Sequence, residues 1–167
     1  MKYIEALSEY YPVNNPLGIL PYESSVFLAG GITGCSDWQS ELTALLSDTN
    51  LVVLNPRRQN FPAKDPLASA QQIRWEHKHL AMASLVSFWF PHETLCPITL
   101  FELGTFTMGQ RPLLVGCDPK YARRRDIETQ MSLYRPDVKV VESIEELSEQ
   151  IHAFDNWGKV RRKVIVP

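Results

Sequence analysis

Five short, predominantly apolar runs most constrain what this chain can become. They are Val26-Phe27-Leu28-Ala29, Leu51-Val52-Val53-Leu54, Leu85 to Phe90, Leu113-Leu114-Val115 and Val138 to Val141. A strand with one wet face alternates apolar and polar residues, whereas continuous hydrophobicity suits a strand covered on both faces, as in a parallel sheet. The stretches between the runs read as helices. Trp38, Leu42, Leu45 and Leu46 make one apolar stripe, with Ser36 or Asp37 placed to cap it. Ser143 and Glu146 have capping-box spacing for the last helix. Strands alternating with helices imply right-handed crossovers. The expected fold class is therefore α/β: a doubly wound, five-stranded parallel sheet with helices on both faces.

The 167 residues suit a single domain, with 1–23 as an N-terminal arm ahead of the first strong strand and 155–167 as a C-terminal tail. A formal net charge of −2 gives no overall attraction to nucleic acid or to an anionic membrane. The basic runs at Arg57-Arg58, Arg123 to Arg125 and Lys159 to Lys163 read first as solvated surface. No apolar run approaches the ~20 residues that span a bilayer, and Met1 to Tyr10 lacks the pattern of a secretory signal. Cys35, Cys96 and Cys117 show neither CxxC pairing nor a histidine at metal-ligand spacing. The expectation is a cytoplasmic protein without metal or other cofactor.

In open parallel sheets ligands bind beyond the carboxyl ends of the strands, where strand order reverses. The segments to watch are Gly30 to Gly34, Asn55 to Arg58, Pro91 to Pro97 and Gly116 to Asp118. Gly30 and Gly31 admit a ligand close to the backbone, although a glycine turn demanded only by chain geometry reads the same way. Glu102 is the only charged residue between Glu93 and Arg111, on a helix that reads as apolar nearly all round and deeply packed. A carboxylate there must find partners, become protonated or face a cavity, and Gly104 beside it leaves room for a small molecule. Thr99 and Glu102 also have capping-box spacing, which competes with Pro97 as the first helical residue.

Glu76 is a second unusual acid, sharing a helix face with Ile73, Leu80 and Ala83. It either meets a partner inside the fold or sits at the rim. His77 and His79 flank it at a spacing that does not bring both to one metal. Arg57 or Arg58 either reaches a phosphate or carboxylate, or braces its own loop. His92 and His152 stand alone, and Trp75, Trp89 and Phe90 read as core.

Taken in order, Val26 to Gly31, Asp37-Trp38-Gln39, Asn55-Pro56-Arg57-Arg58, Gln72-Ile73-Arg74-Trp75-Glu76 and Pro97 to Gly104 resemble the nucleoside 2-deoxyribosyltransferase-like proteins, especially a divergent bacterial and phage branch. The resemblance covers roughly residues 24–145. It implies a flavodoxin-like fold and cleavage or transfer at the N-glycosidic bond of a 2-deoxynucleoside or its 5′-monophosphate. Glu102 matches the family's nucleophile, which forms a covalent deoxyribosyl intermediate, and Glu76 is the candidate acid. Substrate contacts are expected at Gly30, Gly31, Asp37, Trp38, Asn55, Arg57, Arg58 and Thr99. Phe27 stands where the family's transferases proper have a tyrosine touching the nucleophile. Cys96 and Pro97 stand where they have an aspartate pair. The partners implied are a small-molecule nucleoside or nucleotide and further copies of the chain in a homo-oligomer. The competing class is a sensor that binds a nucleotide-derived ligand without turning it over.

Overall fold

The computed structural model describes residues 1–11, 24–62, 65 and 67–165, with side chains as far as Gly158. Its elements run β1 (Lys2–Glu5), β2 (Ser25–Gly30), α1 (Trp38–Leu45), β3 (Val52–Asn55), α2 (Ala68–Met82), β4 (Leu85–Phe90), α3 (Pro97–Thr107), β5 (Leu113–Cys117), α4 (Arg124–Tyr134), β6 (Val140–Val141) and α5 (Ile144–Ile165). The strands form one parallel sheet in the order β1-β3-β2-β4-β5-β6. The chain is thus the doubly wound α/β fold expected, but with six strands rather than five. The extra one, β1, lies on the sheet edge and pairs Lys2 to Glu5 with Val52 to Asn55. Its residues are exposed or half-buried, so it lacks the continuous apolar run that marks a strand covered on both faces. Residues 155–165, expected as tail, continue α5.

Handedness divides the helices between the faces. The step β2–α1–β3 runs toward one edge, while β3–α2–β4, β4–α3–β5 and β5–α4–β6 run the other way. Right-handed crossovers in opposite directions put their helices on opposite faces. Trp38, Leu42 and Leu46 from the α1 region and Leu147 and Ile151 of α5 pack against Val26, Leu28 and Val53. On the other face Trp75, Leu80, Leu103, Ile127 and Met131 pack against Phe27, Leu54 and Phe88. The alternation of Phe27 with Val26 and Leu28 is the period of two that a strand imposes.

The ends of these elements behave as the chemistry of their residues requires. Asp37 caps α1, accepting from Ser40 N at 3.2 Å and from Ser40 Oγ at 2.8 Å. At α5 the Ser143 hydroxyl accepts from Glu146 N, while the Glu146 carboxylate turns back to Glu142 N rather than to Ser143 N. His79 is buried, stacked on Trp75 with ring centroids 4.0 Å apart and its Nδ1 2.7 Å from the Trp75 carbonyl.

The packing of α3 differs from the expectation. Only Thr99 and Leu103 are buried on it, and Phe101 is 74% exposed. An apolar composition predicts burial, but a helix on the outer layer of a sheet has one face to bury, and no other described segment covers the second.

Candidate functional site

The strand order reverses between β2 and β4, whose loops leave in opposite directions and open a crevice at their carboxyl ends. A cleft of about 270 Å³ lies there, at the lower end of the range for ligand pockets. Gly30, Gly31, Ile32 and Thr33 form its β2 wall, Pro56 closes the β3 end, and Thr94, Cys96 to Thr99 and Glu102 form the α3 wall. Ile73 and Glu76 enter from α2. Apart from Phe27 within β2, every residue on these walls comes from a strand end, the loop after one, or the helix that follows.

The β2 wall is set by close packing. A Cβ on Gly30 would lie 2.4 Å from Trp38 Cζ2 and 2.5 Å from the Trp89 carbonyl oxygen. One on Gly31 would meet Pro91, Cys96 and Thr94 side-chain atoms at 2.8 to 3.0 Å. The Gly31 carbonyl accepts from Trp38 Nε1 at 2.8 Å and from Gln39 Nε2 at 3.1 Å, both buried. The Gly31 peptide is thereby held from behind, while the glycine itself faces the cleft.

The α3 wall begins with Cys96 as N-cap in a left-handed conformation (φ 45°), an uncommon state for a residue with a side chain. Pro97 occupies the first helical position, which puts Glu102 in the helix interior and excludes the capping-box alternative. No hydrogen-bond donor among the described residues reaches its carboxyl group. Burial pushes the Glu102 acid up to about 7, and the negative charge of Glu76 adds to the rise. Glu76 is raised too, chiefly by burial and opposed by a hydrogen bond from Gln72. Two acids thus share one desolvated cleft, and the charge of Glu76 bears on Glu102.

The residues expected at the site divide into two groups. Glu102, Glu76, Gly30, Gly31 and Thr99 line the cleft. Asp37, Trp38, Asn55, Arg57 and Arg58 do not, and the side-chain partners of four of them explain why. Trp38 is fully buried behind the glycines. Asp37 is occupied by its cap and by Arg57, whose Nε lies 3.4 Å from its Oδ1. Asn55 donates to the Tyr3 hydroxyl at 2.9 Å and accepts from Arg57 N at 2.9 Å. Arg58 lies over the Phe61 ring, 5.5 Å from its centroid. Gly104 likewise borders a separate groove between α3 and α4 rather than the cleft of Glu102.

Sequence reasoning missed Gln72. It is buried, and its Nε2 donates to the Pro56 carbonyl at 2.6 Å and to Glu76 Oε1 at 2.8 Å, tying the acid to the end of β3. The signal was present as a glutamine four residues ahead of an acid, the spacing at which helical side chains meet. Phe27, Cys96 and Pro97 also line the cleft, so the departures from the family's usual residues fall on its walls. Among the described residues no group of three or more histidines, cysteines, aspartates or glutamates is arranged to hold a metal ion. None of the described helices is long and apolar enough to cross a membrane.

A doubly wound parallel sheet with a ligand-sized, acid-lined cleft at its switch point defines the class of protein. Residues 23–121 match the family model described as nucleoside 2-deoxyribosyltransferase like, and the chain belongs to that family. No curated protein matches the chain.

The raised Glu102 acid has a consequence for stability. Its folded value of about 7 lies above the ordinary value of 4.5, so the folded state loses stability as pH rises between them. Glu102→Gln, neutral at every pH, should unfold like the parent near pH 4. At pH 8 it should be more stable by about 1–2 kcal/mol, after allowing for screening at a partly exposed site. Denaturant titrations at the two pH values measure this, and a variant weaker at pH 8 would mean that the ionised carboxylate has stabilising partners.

Proposed function

We propose that the protein cleaves, or transfers the sugar across, the N-glycosidic bond of a 2-deoxynucleoside or its 5′-monophosphate, with Glu102 as nucleophile. The observation that carries the reading is the pairing of Glu102 and Glu76 in one desolvated cleft beside the glycine loop. A Glu102 oxygen attacks the anomeric carbon while the carbon–nitrogen bond breaks. The bonding electrons pass to the departing base, which takes a proton from Glu76. The resulting glycosyl ester is opened at the same carbon by water or a second base, whose proton passes back to the Glu76 carboxylate while the ester oxygen leaves as the Glu102 carboxylate. Deoxyribose suits such a site because the missing 2-hydroxyl eases positive charge at the anomeric carbon.

Incubation with a panel of deoxynucleosides and 5′-monophosphates, with and without a second free base, tests the reading by chromatography of the released bases. Release without an acceptor identifies a hydrolase, and exchange that needs an acceptor identifies a transferase. Glu102→Ala should lower turnover by about three orders of magnitude or more, as loss of a covalent nucleophile does. Full activity in a folded Glu102→Ala protein excludes the mechanism, and tight binding without turnover by the parent assigns the chain to the sensor class.

The chemistry uses the singly protonated pair in its less populated arrangement, with the proton on Glu76 and the charge on Glu102, since burial and the Glu76 charge favour the proton on Glu102. The pH profile of kcat/KM should therefore be bell-shaped, with its alkaline limb near the Glu102 value of about 7. Glu76→Gln should lower the maximum by about 10²–10⁴-fold and abolish that limb. Persistence of the limb in that variant would remove Glu76 from the mechanism.

The functional unit in this reading is a homo-oligomer joined through the outer face of α3. Leu95, Ile98, Phe101 and Met108 are all exposed along it, and Ile98 also lines the cleft. A contiguous apolar face of this kind is costly to leave in water. Phe101→Asp should shift the protein to a smaller species in sedimentation velocity, and an unaltered distribution would exclude this face as the interface.

A further inference from the structure

The cleft rim depends on one residue that does not touch the cleft. Arg57 follows β3, with its side chain 18% exposed. Its Nη2 donates to the Ile32 carbonyl at 2.9 Å and to the Ser36 carbonyl at 2.8 Å, and its Nε faces Asp37 at 3.4 Å. The Cys35 carbonyl and sulfur lie at 3.5 and 3.4 Å from the same Nη2. These acceptors belong to one loop, and the residues facing the other way on it, Gly31, Ile32 and Thr33, form a wall of the cleft. Arg57 is itself fixed. Its backbone N–H donates to Asn55 Oδ1, and Asn55 Nδ2 donates to the Tyr3 hydroxyl on β1.

We infer that Arg57 is a positioning residue that holds the β2–α1 loop in its ligand-binding shape, and not a contact for substrate phosphate. The inference takes the cleft to be the substrate site, as proposed above. Carbonyl groups of a loop repel one another when gathered on one side, so a multidentate donor among them favours this shape beside the anchors at Gly31 and Ser36. A planar guanidinium supplies that, with directed N–H groups and a fixed charge, whereas a lysine ammonium is a point donor on a flexible stem. Nη2 is the atom turned to the loop carbonyls, and Nε lies 3.4 Å from Asp37 as an ion pair without a hydrogen bond, so the anchored part of the side chain is directed at the protein.

Hydrogen exchange and kinetics on Arg57→Ala and Arg57→Lys test this, with 2′-deoxyadenosine, thymidine and their 5′-monophosphates as probes. Amides of residues 31–37 should exchange several-fold faster in both variants, while those of β2, β4 and β5 keep their protection. KM for nucleoside and monophosphate should rise by the same factor, about ten- to a hundredfold, with kcat changed far less. Millimolar guanidinium, far below denaturing concentrations, should restore both the protection and the KM of Arg57→Ala. Parent-like protection of residues 31–37 overturns the inference. A KM increase confined to the monophosphates overturns it as well, since that is the mark of a phosphate contact. So does loss of protection across the whole sheet in Arg57→Lys, which keeps charge and stem, because Arg57 would then serve global stability. If the parent turns over none of the probes, the proposed activity fails, and exchange at residues 31–37 still decides the role of Arg57.

Discussion

The close approach of β2 to Trp38 sets the geometry on which the rest of the site depends. Gly30 has no room for a side chain between the Trp38 ring and the Trp89 carbonyl. That contact brings α1 down on the strand end and places Trp38 Nε1 and Gln39 Nε2 on the Gly31 carbonyl. With that peptide pinned, the following loop must turn outward, and Arg57 catches its carbonyls from β3. The cleft wall is thus built by groups in contact with one another behind it. Rigid support of this kind lets a loop keep a ligand-ready shape without a ligand present.

The opposite wall carries an electrostatic load. Glu102 has lost much of its water without gaining a donor, and the nearby charge of Glu76 adds to the cost of ionising it. A fold selected only for stability would place a glutamine or an apolar residue there, so the acid is the kind of local conflict that accompanies function. Its position suits the proposed chemistry, because a carboxylate poorly solvated in its ground state gains most by bonding to a carbon that develops positive charge. Gln72 moderates the conflict on the other acid, giving Glu76 one hydrogen bond and a defined orientation.

Some residues carried their position openly in the sequence. Glu102 stood out as a lone charge in an apolar helix, and Pro97 correctly argued for its interior position. The glycine pair was legible because a strand end followed by a helix start leaves few other uses for two glycines. Asp37, Trp38, Asn55 and Arg57 were legible as a set but not as to purpose. Their side chains satisfy backbone groups and each other, and such partners lie at contact only after the strands pair. The outer face of α3 misled for a related reason. Hydrophobicity reports that a residue prefers burial, not which surface will bury it, and Phe101 remains exposed on this chain.

The sequence by itself determined the α/β class and a parallel sheet of the five strands β2 to β6, with the strand ends where a site was to be sought. These follow from local patterns: predominantly apolar runs, helical periodicity and caps, each readable within a window of a few residues. Tertiary structure alone decided the sixth strand, whose edge position leaves no apolar signature. It also decided which polar residues face the cleft and which stand behind it. That division depends on the right-handed crossovers reversing between β2 and β4, which bring α2 and α3 to one side of the glycine loop and Trp38 to the other. The charge on Glu102 was visible from the start. Glu76, 26 residues away along the chain, was expected beside it from the resemblance, and the fold is what brings the two acids into one cleft.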